Sequence, residues 1–184
     1  NLGIGHVRYP TAGGVGKEFA QPMYVNAPYG ISLAHNGNLT NSKKLAAELF
    51  HAERRHINTE SDSEVLLNIL ALELSKQEAV FPKPKDYFSA IEKTHMRING
   101  AYAVVALITG YGILGFRDPL GIRPLTIGVR KGKNRNEYII SSETALFSAL
   151  GYKFLRDVEP GEAVFIDNSG KIFSQQCSSE ISKK

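Results

Sequence analysis

Residues 61–74 most constrain how this chain can fold. Ser61, Asp62, Ser63 and Glu64 have the form of a helix start, with a hydroxyl at the N-cap and a carboxylate three positions later. From Val65 to Leu74 the residues are apolar nearly all round a helical wheel. A helix without a polar face cannot rest on a surface, so it must be covered on most sides. A chain of 184 residues can build one sizeable core to do this. The expectation is a layered domain with this helix inside it.

The flanking segments suggest what the layers are. Gly3 to Tyr9 reads as a short strand stopped by Pro10, followed by a glycine-rich loop through Gln21. Met23 to Asn26 and Gly30 to His35 read as two strands of a hairpin. Thr40 to about Arg55 has helical spacing through Leu45, Ala46, Leu49 and Phe50, and Asp86 to Ile98 has it again. After Gly100 the texture changes to short strand-like runs at 101–108, 113–116, 124–129 and 138–141. A short helix at 143–150 precedes further strands near 154–155, 163–166 and 171–173. Strands, then helices, then strands argue for an α+β domain of mostly antiparallel sheets with helices on their faces.

Composition removes several functions. The formal charge of +4 is spread out, and aromatics are not interleaved with bases as in a single-strand nucleic-acid groove. The densest basic stretch, Arg130 to Arg135, lies between two strand-like runs and reads as a solvated hairpin loop. No apolar run reaches membrane-spanning length. A single cysteine, Cys177, excludes an internal disulfide and favours a reducing compartment, so a cytoplasmic location is expected. Gly110-Tyr-Gly112-Ile-Leu-Gly115 matches a dinucleotide pattern, but a strand follows where a helix should open, so it reads as a hairpin. The five histidines show no zinc-type spacing, and no metal site is expected.

What remains is a set of polar groups suited to a small zwitterion. An apolar run stops at His35-Asn36-Gly37-Asn38, which reads as a strand ending in a tight turn. There the Asn36 amide and the Gly37 N–H can point the same way, as a two-donor oxyanion hole does. Arg8, at the end of the first strand, could hold a carboxylate through two parallel hydrogen bonds. Thr11 could add a hydroxyl. Asp62, in a first helical turn, could face an ammonium. A ligand with an α-carboxylate, an α-ammonium and a side-chain carbonyl would use all of these.

Three stretches carry a resemblance. Gly5-His-Val-Arg8-Tyr-Pro-Thr11-Ala-Gly13, Leu33-Ala-His-Asn36-Gly37-Asn-Leu-Thr-Asn41 and Asn58-Thr-Glu-Ser-Asp62-Ser-Glu64 resemble the glutaminase domain of class II glutamine amidotransferases. Phe116-Arg117-Asp118-Pro119-Leu-Gly121-Ile-Arg123-Pro124-Leu125, Ser141-Ser-Glu143 and Pro160-Gly161-Glu162 are similar to the branch that serves purine synthesis. The match runs in order over essentially the whole chain. The sugar-phosphate branch would show Arg-Trp-Ala-Thr-His in place of Arg8-Tyr-Pro-Thr11-Ala.

The resemblance implies a four-layer αββα N-terminal-nucleophile hydrolase fold with two stacked antiparallel sheets. It implies that Arg8 binds the carboxylate of L-glutamine, Asp62 its amino group, and Asn36 with Gly37 the oxyanion. The loop from Arg8 to about Gln21 would order over the bound glutamine. The released ammonia would convert phosphoribosyl pyrophosphate to 5-phosphoribosylamine, the first committed step of de novo purine biosynthesis.

The family's nucleophile is an N-terminal cysteine whose α-amine is the base, whereas residue 1 here is Asn. The chain is therefore expected to be a piece: a glutamine amidotransferase domain over 1–176, truncated at its start, and a tail over 177–184 leading to a phosphoribosyltransferase domain. Alone it is expected to be inactive. Magnesium would belong to that other domain, with no cofactor in this one. The full-length enzyme is expected to be a homo-oligomer that engages neither nucleic acid nor membrane. Another class II amidotransferase, or a non-catalytic glutamine- or partner-binding module, is the alternative.

Overall fold

A computed structural model describes residues 2–7, 16–77 and 79–178. The central helix expected from the sequence is α2, Asp62–Ser75, and every residue from Ser63 to Leu74 is buried. It lies between α1, Ser42–His51, and α3, Pro84–Arg97. These helices cover one face of a six-stranded sheet, and α2 itself touches the first two strands.

The sheet runs in the order β1 (Met23–Val25), β2 (Ile31–Leu39), β3 (Gly100–Ile108), β4 (Gly112–Arg117), β8 (Glu162–Asp167), β9 (Ile172–Gln176). A second sheet places β5 (Thr126–Lys131) between β6 (Asn136–Ser141) and β7 (Lys153–Asp157). Every strand pairing among the described residues is antiparallel. The last helix, α4 (Ala145–Ala149), closes the far side of the second sheet, where the buried Phe147 lies against Gly128.

Strand alternation explains the layering. Tyr102, Val104, Ala106, Ile108, Leu114, Phe116, Ala163 and Phe165 turn toward the helices. The intervening Ala103 and Val164 meet Leu125, Ile127 and Val158 between the sheets. Because both faces of these strands are buried, their sequences read as continuous apolar runs rather than alternating ones. Gly115 is part of the fit: a Cβ there would stand 3.0 Å from the Ile140 side chain across the sheet interface.

Several expectations are corrected. Residues 2–7 form no strand; they are mostly exposed, and no described strand pairs with them. The second strand does not end at His35 but continues to Leu39, in register with β3 throughout. The first helix is shorter than 40–55 at both ends. Thr40 and Asn41 instead bond the 97–99 segment, with Asn41 Nδ2 donating to the Arg97 carbonyl at 2.8 Å. At its far end Arg54, at φ +54°, turns the chain, and the Arg55 N–H returns to the Leu49 carbonyl. The capping box is also altered. Ser61 Oγ accepts the Ser63 N–H, while Glu64 reaches past Ser61 to bind Asn58 and Thr59.

Candidate functional site

The Asn36-Gly37 pair sits inside β2, opposite Ala103 and Tyr102 of β3. Gly37 is required there for two reasons. Its φ of +149° is rarely open to L side chains, and a Cβ would drive into the Ala101 carbonyl oxygen. Opposite Leu39, Gly100 has a φ of +143°. The two glycines let the end of this strand pair deform without breaking register.

Beyond Leu33, β1 no longer pairs with β2, and among the described residues no other strand takes that edge. The His35 N–H donates to Gln21 Oε1 at 2.6 Å, and the Leu39 N–H donates to Asp62 Oδ2 at 2.8 Å. Both N–H groups point away from β3. Alternation along a strand puts the Gly37 N–H on that same edge, between them. Gly37 and Leu39 are two residues apart, about 7 Å of strand. A donor and a carboxylate therefore lie within the span of one small molecule. Asp62 stands at the first position of α2, where its helix N-terminus favours negative charge.

Asn36 faces the second sheet. Its Nδ2 donates to Ser142 Oγ at 3.3 Å, which uses one of its two N–H groups and leaves the other available. Ser142 follows β6 in a turn where Ser141 Oγ accepts the Glu143 N–H. Beneath the strand, His35 Nδ1 lies 3.1 Å from Ser63 Oγ and 3.9 Å from Asp62 Oδ1. Burial lowers the His35 pKa, with His6 and Arg123 pushing the same way and Asp62 opposing, so the ring is neutral at neutral pH.

Two loops frame this edge. Burial raises the Glu64 carboxyl, but four hydrogen bonds from Asn58 and Thr59 outweigh it, and the net pKa is lowered. That carboxylate fixes the loop entering α2. In the other loop, Asp118 is fully buried and accepts N–H groups of Tyr102, Leu120, Ile122 and Arg123. Arg117 donates to the Arg123, Gly121 and Val158 carbonyls. The Arg-Asp-Pro segment is thus a rigid backbone clamp that sets Arg123 near His35.

The structure puts Gly37 and Asp62 on one strand edge and turns the Asn36 side chain from the neighbouring position toward the second sheet. Arg8 and Thr11 lie outside the described residues, as does the loop expected to close over a ligand between 8 and 15. The described end of that loop is a single 3-10 turn, Lys17–Phe19, and Gln21 beyond it is tied to β2. Cys177 is buried against the helix-side core, and burial pushes its thiol up to about 12, with Glu92 adding to the rise. It is a poor nucleophile. Four contributors were not legible as site residues. In the sequence Ser63 reads as part of a helix cap, His35 shows no spacing to another ligand, and Gln21 and Ser142 carry no pattern.

Two stacked antiparallel sheets between helical layers, with a donor-lined strand edge facing a carboxylate, define an N-terminal-nucleophile hydrolase fold. The sequence model described as the glutamine amidotransferase domain matches residues 15–149, and the chain belongs to that family. It is 55% identical over 178 residues to the amidophosphoribosyltransferase of Escherichia coli, covering 96% of this chain and 35% of that protein. It is 54% identical over 177 residues to the amidophosphoribosyltransferase of Pseudomonas aeruginosa, with the same coverage. The solved glutamine phosphoribosylpyrophosphate amidotransferase of B. subtilis, complexed with ADP and GMP, superposes with a TM-score of 0.75 at 32% identity, over 95% of this chain and 34% of that one. The chain thus spans about a third of the length of the curated relatives it matches.

Proposed function

We propose that this chain is the glutamine-hydrolysing part of an amidophosphoribosyltransferase. The observation that carries the reading is the open edge of β2. There the Gly37 N–H lies between the N–H groups of His35 and Leu39, and the Leu39 partner is Asp62. This geometry suits a ligand with an amide carbonyl at one end and an ammonium at the other. High identity to amidophosphoribosyltransferases over 96% of the chain supports the choice of acceptor.

In this reading Asp62 Oδ1 receives the α-ammonium of glutamine, and Arg8, with Thr11, receives its carboxylate. A thiolate attacks the side-chain amide carbon. The carbonyl oxygen takes up negative charge and is held by the Gly37 N–H and the second Asn36 N–H. The carbon–nitrogen bond breaks and ammonia leaves with the proton taken from the thiol. Water then cleaves the thioester, giving glutamate and restoring the thiol. As the family resemblance implies, the nucleophile is an N-terminal cysteine of the full-length protein with its own α-amine as base; Cys177, buried with its thiol pushed up to about 12, is not suited to the role.

Ammonia then displaces pyrophosphate from phosphoribosyl pyrophosphate, giving 5-phosphoribosylamine. That substrate and magnesium belong to the phosphoribosyltransferase part, in a cytoplasmic homo-oligomer. The test is Asn36→Ala in the full-length protein. Loss of one oxyanion donor is expected to lower glutamine-dependent turnover about 100-fold or more and to spare ammonia-dependent turnover. An unchanged glutamine-dependent rate would remove Asn36 from the mechanism.

A further inference from the structure

β2 and α2 meet at the candidate site through one side chain that the hydrolytic chemistry does not use. The His35 side chain is 1% exposed. Its Nδ1 meets the Ser63 hydroxyl at 3.1 Å and lies 3.9 Å from Asp62 Oδ1. Its Nε2 is buried with no hydrogen-bond partner among the described residues and stands 2.9 Å from the point a Gly37 Cβ would occupy. The ring therefore fills the space under Gly37 and touches the helix turn that carries Asp62. An unbonded buried nitrogen is a cost that a hydrocarbon in the same space would avoid. The other nitrogen is what distinguishes histidine from leucine here.

The charge arrangement is also specific. Asp62 Oδ2 is committed to the Leu39 N–H, which leaves Oδ1 for a ligand. An imidazolium at His35 would compete for that same oxygen. The groups that bear on the ring are Asp62 and Ser63 from α2, His6 from the N-terminal segment and Arg123 from the clamp loop. Burial, His6 and Arg123 all oppose protonation.

We propose that His35 is a positioning residue: a neutral imidazole that sets β2 against the first turn of α2, holding the Asn36–Gly37 donors and the Asp62 carboxylate at the separation glutamine needs, with Oδ1 left free for the ammonium. The inference rests on the glutamine reading of this edge. It implies that glutamine binding weakens when the ring gains a proton, because the imidazolium pairs with Asp62.

The test compares His35→Leu, His35→Asn and Asp62→Asn in the full-length protein, with glutamine and with ammonia as nitrogen source. His35→Leu is expected to raise KM for glutamine about tenfold or more while ammonia-dependent activity persists. His35→Asn, which can place a nitrogen near the Nδ1 position, is expected to recover most of that loss. Wild-type KM is expected to rise on acidification, and the rise to vanish in His35→Asn. A wild-type KM in His35→Leu at every pH overturns the proposal. Equal loss of both activities in the Leu and Asn variants also overturns it, because it assigns His35 to folding alone. If Asp62→Asn leaves the glutamine KM unchanged, the glutamine reading itself fails. If Asp62→Asn raises KM and His35→Leu does not, only the role of His35 fails.

Discussion

Acid should loosen this domain through one histidine in the helix layer. His95 of α3 is buried, its Nδ1 lies 2.7 Å from the Tyr102 hydroxyl of β3, and its ring contacts those of Tyr102 and Phe116. Burial lowers its pKa from 6.5 to about 4, against a smaller pull from Asp118. The unfolded chain therefore binds the proton more readily than the folded one. The contribution of neutral His95 is complete above the unfolded value and is lost as pH falls from 6.5 toward 4. The difference between 6.5 and about 4 corresponds to about 3 kcal/mol, most of it lost between about pH 7.5 and about pH 4.5. The assay is urea unfolding across that range for the chain and for its His95→Asn variant. Asparagine can keep a polar atom near the Tyr102 hydroxyl but cannot titrate. The variant should be less stable near neutrality because it is smaller, and the gap should narrow by about 2–3 kcal/mol on acidification. His35, lowered in the same direction, and the carboxylates act in both proteins and cancel. A gap that stays constant with pH would refute the reasoning.

Gly37→Ala should cost about 1–3 kcal/mol from backbone strain alone, more with the Ala101 carbonyl in the way, read as a fall in Tm; an unchanged Tm would mean that the strand relaxes freely. Glu64→Gln should lower stability by about 1.5–3 kcal/mol through weaker bonds to Asn58 and Thr59. Because the folded Glu64 pKa is lowered, that contribution is present above the unfolded value and lost as pH falls through the folded one, so unfolding curves of the two proteins should converge in acid. Cys177 should react with a thiol reagent only on unfolding, since burial holds the thiol at about 12; rapid labelling of the native chain would contradict its place in the core. Ser142→Ala should lower glutamine-dependent kcat with little change in KM, because it frees the Asn36 amide and leaves the Asp62 edge intact; a change confined to KM would point to a binding role instead.

Local physics is written plainly along this chain. An all-round apolar helix can only be internal, so the run Val65–Leu74 already implies the buried helix layer. The GxGxxG stretch was readable as a hairpin because β-type residues follow it, and it is the β3–β4 connection. That Asp62 opens a helix was legible from the capping residues around it, whereas Asn36 and Gly37 stood out by residue type alone.

The sequence alone could not say where the second strand ends. An Asn-Gly pair is locally suited to a turn, and only pairing with β3 keeps Gly37 extended at a φ few other residues tolerate. Nor could it say that Glu64 would leave its own cap for Asn58 and Thr59, that Ser142 would steady Asn36 from 106 positions away, or that His35 would lie between a strand and Asp62. These are contacts between segments far apart in sequence. They depend on the register and stacking of the sheets, which no short window of residues encodes. Residue types along the chain name the groups able to do chemistry, but only the folded sheets and helices bring His35, Gly37 and Asp62 against one another.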